Sequence, residues 1–158
     1  LDKQVVLGES LGVNAAEQAI NLKTASKIAA IVNLFKSEYP DARSDLKPWA
    51  NDADTRELVD PDSIDLSFNF PGWSRRFQSR CILIQIRFHQ DSETSLHRAI
   101  GIEAAGFTHE GKQWTLSTIE DWNFAGDKHP TPEICDSLKE FCRKILLVFN
   151  ENDETEER

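Results

Sequence analysis

A chain of 158 residues with 39% hydrophobic and 28% charged residues fits one globular domain with an ordinary core. Its formal net charge of −9 repels phosphate backbones and anionic lipid surfaces within about a Debye length, which argues against general nucleic-acid binding and membrane-surface docking. No apolar run approaches the roughly 20 residues of a membrane helix, and four Trp and nine Phe argue against disorder.

The first residues, "LDKQVVLGES", lack the charged and apolar regions of a secretory leader. The chain begins at Leu1 and has no Met, so it is expected to be a piece of a longer protein. Its three cysteines, Cys81, Cys135 and Cys142, form no C-x-x-C pair. They read as buried thiols in a reducing, cytoplasmic compartment; a zinc site needs closer ligand spacing. No cofactor is implied.

Apolar residues at Ala25, Ile28, Ala29, Val32 and Phe35 predict a helix within 13–39, capped as early as Asn14 and stopped by Pro40. An acidic linker over 41–62 follows, with a helical turn near 54–59 and Trp49 expected to pin it to the body. Between residues 41 and 65 stand eight acids and three bases. Four strands are then predicted within 63–119. "SIDLSFNF" alternates Ile64, Leu66, Phe68 and Phe70 against Asp65, Ser67 and Asn69. "FQSRCILIQIRF" places Ile82, Ile84, Ile86 and Phe88 on one face. "RAIGIEAAGF" and "KQWTLSTIEDW" complete the set, joined by "THEG", with Ile100 and Ile102 expected on one side. The last helix is predicted over 131–149, with Thr131 as N-cap, Pro132 at the first helical position and Glu133 favouring the dipole. Residues 151–158 form an acidic tail expected to be disordered.

The expected fold is therefore α+β: one domain over 1–150, a four-stranded antiparallel meander with an N-terminal and a C-terminal helix packed on one face. A meander sorts its loops by end. Trp73, Arg75, Arg76, Arg80 and His109 fall near one end. His89, His97, Asp121 and His129 are expected at the other.

Residues 71–90 carry four arginines and no acid, a local reversal of sign on an acidic chain. Tryptophan beside arginine is typical of binding hot spots, and guanidinium groups grip carboxylates bidentately. These five residues suggest a non-catalytic adaptor surface for a protein or peptide partner, with homodimerisation as a further possibility. The rival is a metal- or small-ligand-binding enzyme using His89, His97, His129 and Asp121, since imidazoles and carboxylates suit a divalent ion or acid–base work. No HxH or HExxH spacing supports it.

The strand pair also resembles, in spacing only, magnesium nucleases that place Asp on one strand and acid-x-Lys on the next. Here Asp62 or Asp65 precedes Gln85-Ile86-Arg87, and neither Gln nor Arg can hold the hard cation and activate water. The acidic loops lack the glycine and terminal glutamate of a calcium hand. Small residues around Glu103 leave room for a ligand or for packing.

Overall fold

The computed structural model describes residues 14–15, 22–48, 63–90 and 97–156, with the side chains of Gln90, His97 and 151–156 left out. Helix α1 spans Leu22–Glu38. Six strands follow: β1 Arg43–Asp45, β2 Ser63–Ser74, β3 Ser79–Gln90, β4 His97–Thr108, β5 Gly111–Ser117 and β6 Asn123–Gly126. Helix α2 spans Pro132–Glu156. The strands lie in sequence order in one antiparallel sheet.

The class is α+β, but the sheet has six strands where four were expected. β1 lies in the stretch read as linker, and β6 in the loop after the fourth predicted strand. Helix α2 continues through 151–156, past the expected end at 149. Trp49, the turn at 54–59 and residues 16–21 of the predicted first helix lie outside the described residues.

One sheet face forms the core. Register pairs Ile64↔Ile86, Leu66↔Ile84 and Phe68↔Ile82 join β2 to β3, and Ile84↔Ala104 with Ala104↔Leu116 carries the row onward. Both helices meet this face. Phe35 of α1 stacks on Phe68 at 4.0 Å, and Phe141 of α2 meets the same ring edge-on at 6.2 Å. The buried stripe of α1 is Lys27, Ile28, Ile31 and Phe35. Ala29, placed on that stripe by spacing alone, is exposed. Lys27 is buried because its ammonium donates to the Phe149 carbonyl at 3.1 Å and lies over the Phe149 ring.

Several irregularities shape the sheet, among them an extra Gln113 in β5 between the pairs Gly106↔Trp114 and Phe107↔Lys112. Asn69 pairs with Cys81 and Ser74 with Ser79, so the four residues Phe70–Trp73 face the single residue Arg80 across a wide bulge. Arg87 pairs with Gly101 and Phe88 with Ala99, leaving Ile100 as an extra residue in β4. That bulge breaks the expected alternation: Ile100 is 53% exposed and Ile102 fully buried. Finally, β5 ends while β4 continues, and side chains close the uncovered edge. Thr118 Oγ1 accepts from Ile102 N, and the Asn150 amide exchanges two hydrogen bonds with the Ala99 backbone, at 2.9 and 3.0 Å.

The small residues near Glu103 make room for the chain itself. A Cβ at Gly106 would lie 2.7 Å from Trp114 Cζ2, closer than unbonded carbons pack, and a Cβ at Gly101 would lie 2.5 Å from Ile119. Gly106→Ala is therefore expected to destabilise the fold by about 1–3 kcal/mol, read as a lower urea midpoint with an unchanged slope. Asn150→Ala strands a donor and an acceptor on β4 and should cost about 1–3 kcal/mol by the same measurement.

Candidate functional site

The FPGW bulge answers what the arginine-rich turn is. Pro71 has no N–H to give a ladder, and a Cβ at Gly72 would meet nothing within 4 Å. Both residues suit a segment that leaves the sheet. Phe70 turns inward to Phe77, ring centroids 4.7 Å apart. Trp73 remains 56% exposed. The reversal itself runs over 75–78, with Gln78 at φ 51°.

Phe77 anchors this turn. Its ring is buried against Phe35, Tyr39 and Phe70, and its carbonyl accepts the Trp114 indole N–H at 2.7 Å. Arg76 is also engaged. It forms a 3.3 Å ion pair with Glu133, its guanidinium lies over the Tyr39 ring, and its carbonyl accepts from Thr131 N at 3.0 Å. With both charged groups exposed, the ion pair contributes about 1 kcal/mol or less. Arg75 and Arg80 are exposed and form no ion pair among the described residues. His109 is exposed at the tip of the β4–β5 turn. The five predicted binding residues thus lie on adjoining turns and strand ends, with Arg76 held by the body of the protein.

The metal alternative is geometrically dispersed. β6 reverses the chain once more and carries 127–131 back toward the arginine turn, where Thr131 bonds Arg76. His129 therefore lies at that end, near the Phe124 ring, and not opposite it as expected. Backbone register puts His89 across from Arg98 and His97 across from Gln90, at the far tip of β3 and β4. Asp121 sits in the turn after β5, beside the middle of β4, because Thr118 bonds Ile102. Among the described residues, no group of three or more His, Cys, Asp or Glu is placed to hold a metal ion.

Two features were not foreseen. A polar row crosses the sheet face opposite the core: Asp65 is fully buried and accepts from Ser63 Oγ at 2.7 Å and Gln85 Nε2 at 3.2 Å, while Arg87 pairs with Glu103 at 2.9 Å. The nuclease comparison thus identified contacting positions, but Gln85 and Arg87 neutralise and satisfy carboxylates there. A groove of about 190 Å³ also runs between the helices, lined by Leu34, Glu38, Ser137, Glu140, Phe141 and Lys144. Beside it the Tyr39 and Ser137 hydroxyls share a 2.6 Å hydrogen bond, and burial pushes the Tyr39 phenol up. The groove is smaller than a typical small-molecule site of about 300–1,000 Å³.

Fold and surface together define an α+β antiparallel-sheet domain presenting a tryptophan–arginine bulge at one end. The chain belongs to a protein family described as a domain of unknown function, matched over residues 16–151. No curated protein and no solved structure matches it. Among the described residues, no helix is long and apolar enough to cross a membrane.

The cysteines sit outside this surface. Burial pushes the Cys142 thiol up to about 12 and also raises Cys81 and Cys135. Because the thiolate is the reacting form, a disulfide-exchange reagent at pH 8 should modify Cys142 only on unfolding. Cys81 and Cys135 should react more slowly than a free thiol. Rapid labelling of Cys142 in the folded chain, located by peptide mapping, would contradict its packing.

Proposed function

We propose that the chain is a non-catalytic, cytoplasmic binding domain that recognises an acidic protein or peptide segment through Trp73, Arg75 and Arg80, with His109 at the rim. The observation that carries this reading is the exposure of Trp73 on a four-residue bulge facing Arg80, beside an Arg75 that has no acidic partner among the described residues. Trp73 supplies apolar contact area. Arg75 and Arg80 supply two-pronged donors for carboxylates. Arg76 acts differently: its ties to Tyr39, Thr131 and Glu133 fix the turn that holds Arg75. On a chain of net charge −9, this reversal of sign favours acidic partners locally while the remaining surface repels them, which restricts the approach to one end.

The test is binding to immobilised peptides that carry glutamates around a leucine or phenylalanine, alongside uncharged versions and a heparin column. The acidic peptides should be retained, and retention should fall with added salt. A Trp73→Ala, Arg75→Glu double variant should bind at least tenfold more weakly at unchanged melting temperature. Equal binding by the variant would end this reading. Stronger retention on heparin than on the acidic peptides would favour a phosphate-bearing partner instead.

A further inference from the structure

A second surface lies away from the tryptophan bulge, where β4 outlasts β5. We propose that this corner is a two-fold interface through which the chain pairs with a second copy of itself. It rests on observations separate from those behind the binding reading above.

Two distortions present apolar side chains here. The β4 bulge makes Ile100 an extra residue, and the missing Cβ of Gly101 gives Ile119 a seat on the sheet; each isoleucine remains 53% exposed. The turn that carries Ile119 is strained. Asp121 and Trp122 both adopt left-handed backbone, at φ 66° and 59°, a conformation unfavourable for a residue as large as Trp. Trp122 N donates to Ser117 O at 3.0 Å, and Arg143 lies over the Trp122 ring at 5.1 Å, so the turn is held in this shape from two sides. The neighbouring β4 edge offers no strand pairing, because Thr118 and Asn150 already bond its backbone. Docking here must go through side chains.

Charge selects the occupant. On β4 Arg98 stands two residues before Ile100, and Ile119, seated over the adjoining Gly101, is followed on its turn by Glu120 and Asp121, so the order runs basic, apolar, acidic. Arg98, Glu120 and Asp121 are exposed and form no ion pair among the described residues. A two-fold rotation reverses this order, so that Arg98 of each copy faces the Glu120–Asp121 turn of the other while the isoleucines meet at the centre. A surface that is basic at one end, apolar in the middle and acidic at the other complements itself. Such local pairing is needed to offset repulsion between two copies of net charge −9.

Analytical ultracentrifugation of the 158-residue chain over a range of concentrations tests this. A monomer–dimer equilibrium is expected. Ile100→Asp and Ile119→Asp should each weaken it at least tenfold, with folding checked by circular dichroism. Arg98→Glu should also weaken it, and adding Glu120→Arg to Arg98→Glu should restore it. The Trp73→Ala, Arg75→Glu variant should dimerise normally, which separates this surface from the peptide-binding one. A monomer at every concentration, a dimer indifferent to both isoleucine variants, no charge-swap rescue, or loss of the dimer in the Trp73 variant would each overturn the proposal.

Discussion

The arrangement of the arginine end depends on one hydrogen bond and the space that permits it. Trp114 lies where Gly106 has no side chain, which brings its indole N–H to the Phe77 carbonyl. That bond ties the 75–78 turn to β5, across the intervening β3 and β4. The Phe77 ring enters the cluster formed by Phe35, Tyr39 and Phe70. The turn is thus fixed through both its backbone and its side chain. An indole N–H buried without this acceptor would cost its desolvation, about 1–3 kcal/mol and more than the bond contributes net, so Trp114, Gly106 and Phe77 act as a unit. Arg75 and Arg76 take their positions from it.

Much of this was legible in sequence. Alternation in "SIDLSFNF" and "CILIQIRF" placed the core face correctly, because a strand with one apolar face repeats every second residue. Thr131 caps α2, its hydroxyl accepting from Ile134 N and its carbonyl from Cys135 N, and Pro132 opens the helix, as the residue types imply. What escaped was short or irregular. β1 has three residues and β6 four, too few for periodicity to register. In β6 a better signal was Gly126, whose φ of 124° marks a chain leaving a strand. Bulges are harder still. An extra residue at Ile100 changes which face a side chain joins without altering the composition that pattern reading relies on.

Missing β6 had a functional consequence. Each added antiparallel strand moves the following loop to the opposite end of the sheet. Without β6, His129 joins His89, His97 and Asp121 in an apparent cluster of metal-ligating groups. With it, His129 travels to the arginine end and the cluster dissolves. The error came from counting strands and not from the chemistry of the residues, which is why an end-sorting inference is only as good as its shortest strand. The end assigned to Trp73, Arg75, Arg76, Arg80 and His109 did not change, because all five precede β6 in the chain.

The same sheet bears on the interactions proposed above. Open antiparallel edges invite backbone pairing by any extended chain, and proteins blunt them with short or occluded edges. Here both outer strands are short, β4 is closed beyond β5 by Thr118 and Asn150, and Asn14 bridges to Asp65 of β2 beyond the end of β1. Backbone recognition, indifferent to sequence, is thereby discouraged. The chain instead exposes particular side chains at points where its ladder is broken: Trp73 on the β2 bulge, Ile100 on the β4 bulge, and Ile119 on the strained turn after β5. A regular strand would have aimed these side chains along the two faces of the pleat. Each irregularity costs ladder hydrogen bonds or backbone strain, and each leaves an apolar group in water beside charges that form no ion pair among the described residues, so the binding and self-pairing proposed above would draw their selectivity from where the sheet departs from regularity.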